Sequence, residues 1–580
     1  MLDIIKVLIL ILNKKQKLVF FIALIIIFFS LILETFGIGM ILPIINVLVT
    51  GNRNINIDLI DKYISVFTLK EAFFIYLIIF FIFYLFKNAI VLIAQFLQLK
   101  IIYQIKENLS KRLFEEFLFK DYKYYIEKNS SVFINKLGQS INEFTTCLRF
   151  VFNTLSDIAF ITILLIFLFY LKPGVTLAII CSILIPSQIF IFLRKKKQLH
   201  DGQNKTYLES ANVKNIQQSL SGIKEIKLLK LENYFLSIFK KNINKICNYE
   251  FKHQFISSVP RLILELTALA IFILGFFIYS IKSFDQIINI IPTIAVFTAA
   301  AFRVIPSFSR LLEAQQNLNF YINISVDIYN DFKNKFKLKK FRDNNKQAIA
   351  IKKIPRFLIL KNLSFCYDKN KIILNKLNYK IKLNGMVGIV GNSGSGKSTL
   401  VDLIIGFLKP TTGEILLNNK DINKNEITLE NWRSILGYIP QSISILDDTI
   451  EKNIALGKST NEIDTDKINK ILKICELEKF IKSKKEGIKT VLGEKGSKIS
   501  GGQKQKIGIA RALYFNPKII ILDEATNSLD EKTEELIINN LRNYKNLSCI
   551  FMISHKKKLM KKYDKIIKVN KNSTKSITGY

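Results

Sequence analysis

Six apolar runs occupy the first half of the chain, at residues 18–49, 72–98, 150–171, 175–193, 262–279 and 286–305. Each has the length at which a helix crosses about 30 Å of hydrocarbon. Within lipid, backbone N–H and C=O groups must be satisfied inside the segment, so each run is expected as a helix. Six is an even number, which places both chain ends on one side. The basic runs select that side. Arg194-Lys195-Lys196-Lys197 closes the fourth run, and Lys333, Lys335, Lys337, Lys339, Lys340, Arg342 and Lys346 follow the sixth. The tight Lys172-Pro173-Gly174 link between runs three and four carries a single lysine. This asymmetry puts the termini, the long connections and the C-terminal half in the cytoplasm.

The connections after runs two and four, roughly fifty and seventy residues, are too long for ordinary helix–helix loops. Their polar-helical pattern predicts that spans two to five continue beyond the membrane as helices. Residues 1–12 read as an interfacial helix. No small-residue cleavage site follows them, so no removable leader is expected. In residues 55–69, Ile60, Tyr63, Ile64 and Phe67 recur at helical spacing, an amphipathic outer helix that either packs as a lid or contacts lipid.

At 580 residues and 49% hydrophobic, the chain is too long for one core. Its formal charge of +38 is concentrated beside the apolar runs and in the C-terminal half, which suits an anionic membrane face. No nucleic-acid signature accompanies it. The six cysteines form no CxxC pair and there are three histidines, so neither a disulfide framework nor a zinc site is expected. Residues 326–350 are polar and basic and read as a linker. From 351 to 580 the pattern becomes that of a soluble α/β domain, against a transmembrane domain over 1–325.

The stretch Gly391-Asn392-Ser393-Gly394-Ser395-Gly396-Lys397-Ser398-Thr399 lies between the apolar run Val387–Val390 and a helical pattern from Thr399 to Ile405. Strand, glycine loop and helix is the context of a P-loop. Its glycines let backbone N–H groups converge on a phosphate, at the positive end of the helix that follows. Lys397 brings a point charge to the β- and γ-phosphates, and the Ser398 hydroxyl is placed for Mg²⁺. Downstream, the apolar Ile519–Leu522 ends in Asp523 and Glu524. The first acid is placed to hold Mg²⁺ and the second to polarise an attacking water. Between them, Ser500-Gly501-Gly502-Gln503 opens another helix, a second anion cradle.

These motifs together resemble the ATP-binding-cassette transporters, with Ser500–Gln503 similar to their signature motif and Ile499 in place of the usual Leu. The resemblance implies an all-α six-helix transmembrane domain fused to an α/β P-loop ATPase domain. It implies that Tyr367 stacks on adenine, and that Gln441 senses Mg²⁺ and faces the membrane domain. It further implies that Asp530 belongs to the D-loop Asn527–Asp530, and that His555 contacts the γ-phosphate. Glu494 and Gly496 resemble the segment that touches the membrane helices. With Glu524 retained, ATP should be hydrolysed. The family's head-to-tail nucleotide sandwich implies a homodimer, since both halves of the ATP site are intact, while a heterodimer is possible. The cytoplasmic turns at Tyr122–Ser131 and Leu208–Ser221 are candidates to contact the Gln441 region.

Charges inside spans are costly and usually face a polar cavity. Lys87, Arg261 and Arg303 are such cations and suit an anionic head group, with Arg310 just beyond. Local pairing with Glu34, Asp157 or Glu265 is the competing reading. Glu34-Thr35-Phe36 with Pro43, Pro260-Arg261 with Glu265, and Arg303-x-x-Pro306 are similar to features of bacterial lipid-linked oligosaccharide flippases of protein N-glycosylation. That similarity implies a multi-pass inner-membrane flippase for a polyprenyl-pyrophosphate-linked glycan. The alternatives are lipid A, a peptide or a drug-like amphiphile as cargo, or an ATP-gated channel or regulator.

Overall fold

The structure is a computed structural model that describes residues 14–41, 44, 45, 47, 68–282, 287–333, 355–367, 372–424, 426–554 and 563–569. The expected interfacial helix over 1–12, the outer helix up to residue 67, Pro43, the linker from residue 334 and His555 lie outside the described residues. The chain divides into two compact units, Met1–Lys120 with Tyr124–Lys339, and Asp121–Lys123 with Lys340–Tyr580.

The first unit is built on six helices: α1 (Lys14–Gly39), α2 (Leu69–Leu118), α3 (Ile141–Leu171), α4 (Pro173–Ser221), α5 (Glu232–Lys282) and α6 (Ile287–Lys333). Among the described residues, five helices are long and apolar enough to cross a membrane. The apolar run 262–279 lies on α5, and half of its side chains are outside the described residues. α2, α4, α5 and α6 are 50, 49, 51 and 47 residues long. At 1.5 Å per residue they reach roughly 70–75 Å, more than twice the hydrocarbon thickness. α2 starts where Thr68 and Glu71 close a capping box. α4 starts on Pro173, where a missing N–H costs nothing. Phe81, Ile166 and Phe192 are exposed along the apolar stretches, as lipid contact requires, while Ala23, Ala94, Phe160 and Leu164 pack inside.

A buried ion cluster joins three of these helices. Lys205 on α4 is 2% exposed, and its ammonium lies 2.6 Å from Glu143 on α3, 3.1 Å from Glu209 on its own helix and 3.1 Å from Glu250 on α5. Gln139 donates to Glu209 at 2.5 Å and to Glu143 at 3.2 Å. It does so from a single π-helical turn, Lys136–Ser140, that leads into α3. The rings of Phe320 and Tyr321 on α6 close the cluster, 5.7 and 5.2 Å from the ammonium.

One turn earlier, Gly202 lets α4 approach the α6 backbone. A Cβ there would stand 1.9 Å from the Phe320 carbonyl oxygen, and backbone cannot swing aside as a side chain can. Gly202→Ala is therefore expected to force the two helices apart and destabilise the helical unit by about 1–3 kcal/mol. Thermal unfolding in detergent checks this, and an unchanged midpoint would contradict the close crossing.

The second unit holds two sheets. β1 (Phe357–Cys366), β2 (Ile372–Lys382), β4 (Thr412–Leu417) and β5 (Lys420–Asp421) form an antiparallel sheet in the order β2-β1-β4-β5. β3 (Gly385–Val390), β6 (Leu436–Ile439), β7 (Ile519–Asp523), β8 (Cys549–Ile553) and β9 (Lys565–Lys568) form a parallel sheet in the order β6-β7-β8-β3-β9. β7 and β8 are buried along their whole length, as continuous Ile-rich runs in a sheet covered on both faces should be. Trp432 is fully buried and donates from Nε1 to the Ile404 carbonyl at 2.7 Å. That bond pins the end of α7 (Lys397–Ile405), the helix that follows β3.

Candidate nucleotide site and membrane cavity

Parallel pairing decides where the site forms. Ile439 of β6 lies beside Leu522 of β7, Asp523 beside Ile553 of β8, and Ile553 beside Ile389 of β3. The carboxyl ends of four strands therefore share one edge, where open α/β sheets bind ligands. The P-loop leaves β3, Gln441 follows β6, Asp523 and Glu524 end β7, and Ser554 follows β8.

The P-loop is shaped to receive phosphate. Gly394 and Gly396 have φ of +74° and +98°, a region that side chains disfavour. A Cβ at Gly391 would meet the Val569 carbonyl oxygen at 2.2 Å. The Ser395 hydroxyl is buried without a protein partner among the described residues, an orphan that a phosphate oxygen would satisfy. Lys397 is buried and donates to the carbonyls of Gly391 and Asn392 at 3.0 and 2.9 Å, which holds its ammonium over the loop. Asn392, Ser393 and Gly394 form the exposed rim. Thr399 is buried at the start of α7, with its Oγ1 3.5 Å from the Tyr367 hydroxyl. Tyr367 itself stands edge-on to Phe365.

Electrostatics at this edge favour a cation. Burial, and then the charge of Glu524, push the Asp523 carboxyl up, against hydrogen bonds from Tyr438 and Ser398 and the charge of Lys397. Burial together with Asp523 pushes Asp402 up to about 6. Burial lowers Lys397, and Glu524 and Asp523 oppose that shift. The carboxylates thus outnumber the lysine among them. No group of three or more His, Cys, Asp or Glu suited to a metal occurs among the described residues. One or two carboxylates and a hydroxyl fit Mg²⁺ instead, which keeps its waters and completes its shell with phosphate oxygens.

Glu524 has φ +51°, a left-handed conformation that turns its side chain off the strand line. Its Oε2 accepts from Gln441 Nε2 at 3.0 Å and from Asn527 Nδ2 at 3.0 Å. Sequence reasoning placed Gln441 and Glu524 separately; their hydrogen bond joins them. Ser500 and Gln503 close a capping box at the start of α8 (Gly501–Tyr514), with Ser500 N–H donating to Gln503 Oε1 at 2.9 Å. Gly501 and Gly502 lie against Ser528. Asp530 caps α9 (Glu531–Arg542) through the Thr533 N–H at 3.0 Å.

Residues 374–527 match the family described as "ABC transporter", and residues 17–304 the family described as "ABC transporter transmembrane region". The chain belongs to the ABC transporter family. This ABC transporter has the exporter half-transporter arrangement, one transmembrane region and one ATP-binding domain in a single chain. It is 40% identical over 230 residues to an export ATP-binding/permease protein of Rickettsia typhi, 39% of this chain and 38% of that relative's length. The multidrug resistance ABC transporter ATP-binding and permease protein of Lactococcus lactis is 26% identical over 500 residues, 82% of this chain and 78% of its own. The leukotoxin export ATP-binding protein LtxB of Aggregatibacter actinomycetemcomitans is 29% identical over 424 residues, 72% of this chain and 58% of its own. The fold is that of a bacterial Atm1-family ABC exporter solved with ATP bound, at TM-score 0.80 and 19% identity, over 97% of this chain and 94% of that one.

In the helical unit, a cavity of about 640 Å³ opens between α1, α2, α3 and α6. Its charged lining is Glu34, Arg149, Asp157, Arg303 and Arg310. Arg303 pairs with Glu34 at 2.6 Å, and Arg310 forks onto Asp157 at 2.5 and 3.1 Å. Lys87 is 3% exposed, with its ammonium 4.4 Å from the Tyr84 ring centroid. Arg261 is not brought to the cavity: it is exposed on α5 and pairs with Glu265 one turn away at 2.8 Å. The expected cluster of Lys87, Arg261 and Arg303 thus loses Arg261, for which local pairing accounts, while Lys87 stays near Glu34 and Arg303.

Proposed function

We propose that this chain hydrolyses Mg²⁺-ATP to drive an amphiphilic substrate out across the bacterial inner membrane, as a homodimer with both termini and the ATPase domain in the cytoplasm. The observation that carries this reading is the shared strand edge on which the P-loop, Asp523 and the Gln441–Glu524 pair converge. Lys397 and the loop N–H groups bind the β- and γ-phosphates. Ser398, Asp523 and Gln441 would hold Mg²⁺, whose charge would neutralise the phosphates. Tyr367 takes the adenine. Glu524 accepts the proton of the attacking water, and His555 reads the γ-phosphate. Ser500–Gln503 and Asp530 of the second copy complete each site. We assign residues 1–325 to the transmembrane domain, 326–350 to the linker and 351–580 to the ATPase domain. ATP favours the closed dimer over the open one, and loss of the γ-phosphate contacts reopens it.

For the cargo, the finer reading is a polyprenyl-pyrophosphate-linked oligosaccharide. Arg149, Arg303 and Arg310 in the cavity support an anionic head group, with Lys87 nearby. Against a large dianion, Glu34 and Asp157 already neutralise two of those arginines. The cavity's volume is also that of a drug-sized group. A peptide, lipid A or drug-like cargo is therefore the second reading, and the names of the leukotoxin and multidrug relatives point the same way. Proteoliposomes offered a fluorescent polyprenyl-pyrophosphate sugar, lipid A and a peptide separate the two. ATP-dependent flipping of the sugar lipid, lowered several-fold by Arg303→Gln, is the expected result. Movement of lipid A or peptide alone would overturn the glycan reading and leave the exporter standing.

A further inference from the structure

Asn527 has no role in the constellation above, yet it touches the residue on which hydrolysis turns. Its amide N–H donates to the Glu524 carbonyl at 3.2 Å, closing a turn that folds its side chain back over Glu524. Its Nδ2 then donates to Glu524 Oε2 at 3.0 Å, the same oxygen that takes Gln441 Nε2. The two donors differ in what else they serve. Gln441 is shared with Mg²⁺ in the reading given above, so its amide must answer to the metal. Asn527 is held by the protein alone. Next to it, the Ser528 N–H donates to the buried Gln505 Oε1 on α8 at 3.0 Å, and Leu529 N–H donates to the Thr526 carbonyl at 3.1 Å.

We infer that Asn527 is a positioning residue for the general base: it holds the Glu524 carboxylate in the orientation from which one oxygen accepts the proton of the attacking water. A glutamate carboxylate, three bonds beyond its Cα, can rotate about its own side-chain torsions. A fixed amide donor on one oxygen removes that freedom and leaves the other oxygen aimed at the water. This rests on the proposed ATPase function.

The test uses the full chain in lipid nanodiscs with Mg²⁺-ATP. Asn527→Ala is expected to lower kcat about tenfold, the loss of one charge-assisted hydrogen bond to the base, with KM for ATP within about twofold. Asn527→Asp keeps the size but replaces a donor by a second carboxylate. Its loss of kcat should be larger, because the two like charges repel and push the base from its place, again with KM for ATP within about twofold. In a Glu524→Gln background, Asn527→Ala should cost nothing further, because residues acting as one unit are not additive. A kcat for Asn527→Ala within twofold of wild type, or an equal loss in the Glu524→Gln background, overturns the inference. If Asn527→Ala does not fold, the kcat of Asn527→Asp decides, and a value within twofold of wild type overturns the inference. Wild-type protein without ATP turnover would instead sink the function on which the inference rests.

Discussion

Glu524→Gln is expected to lower ATP turnover at least 100-fold while leaving ATP binding in place. Gln is close to Glu in size and can still receive the Asn527 and Gln441 donors on its carbonyl oxygen, so the loop that carries them has no reason to collapse. What it cannot do is accept a proton from water, and a positioned base contributes about 10²–10⁴-fold. Because ATP still binds and is not consumed, the variant should accumulate ATP-bound dimer. Two measurements check this: phosphate release at saturating Mg²⁺-ATP, and retained radiolabelled ATP after rapid gel filtration. Turnover at the wild-type rate would remove Glu524 from the role of base. Loss of ATP binding together with turnover would mean that the substitution had disturbed the site and not the proton transfer.

The second large effect lies far from the nucleotide. Lys205→Met should destabilise the helical unit by about 3–5 kcal/mol, the cost of removing one partner from a buried ion pair. Met keeps the unbranched apolar stem, so packing against Phe320 and Tyr321 changes little. Glu143, Glu209 and Glu250 are then left sharing one site with no cation among them. Two of those carboxylates are nearly as buried as the lysine, so water cannot take over its role. The expected result is a fall of roughly 10 °C in the unfolding midpoint of the detergent-solubilised protein. Adding Glu143→Gln and Glu209→Gln should recover much of it, because amides carry no charge to compensate. A shift under about 2 °C for Lys205→Met, or no recovery in the triple variant, would show that the cluster is not what ties α3, α4 and α5 together.

The two residues differ in how visible they are along the chain. Glu524 is legible because its chemistry is local: an apolar strand ending in two acids, downstream of a glycine loop, needs no distant partner to be read. The same holds for Lys397, Ser398 and Ser500–Gln503, whose backbone contexts are set by immediate neighbours. Lys205 reads as one more lysine after a basic run, since Glu143 and Glu250 are 62 and 45 residues away on other helices. Asn527 was visible only as part of a short motif, and its reach back to Glu524 depends on a turn conformation that residue type does not specify. The cations of the spans make the same point. Arg303 and Arg310 were legible as intramembrane charges, but their carboxylate partners, Glu34 and Asp157, were only two of several candidates.

Sequence alone determined the class of molecule. Apolar length forces spanning helices where backbone groups have no water, and the ordered motifs place an ATP-binding α/β domain after them. Both follow from interactions within a few residues of each other, which linear order preserves. Tertiary structure decided which charges are cancelled and which are aimed. It gathered Lys205 with three glutamates, took Arg261 away from the cavity, and set Gln441 and Asn527 on one oxygen of Glu524. The Lys205 cluster depends on helix crossing and the Gln441–Glu524 bond on strand register, and neither of those is written in any single segment, whereas Arg261–Glu265 and Asn527–Glu524 are short-range contacts that the local backbone selects from several open to each side chain.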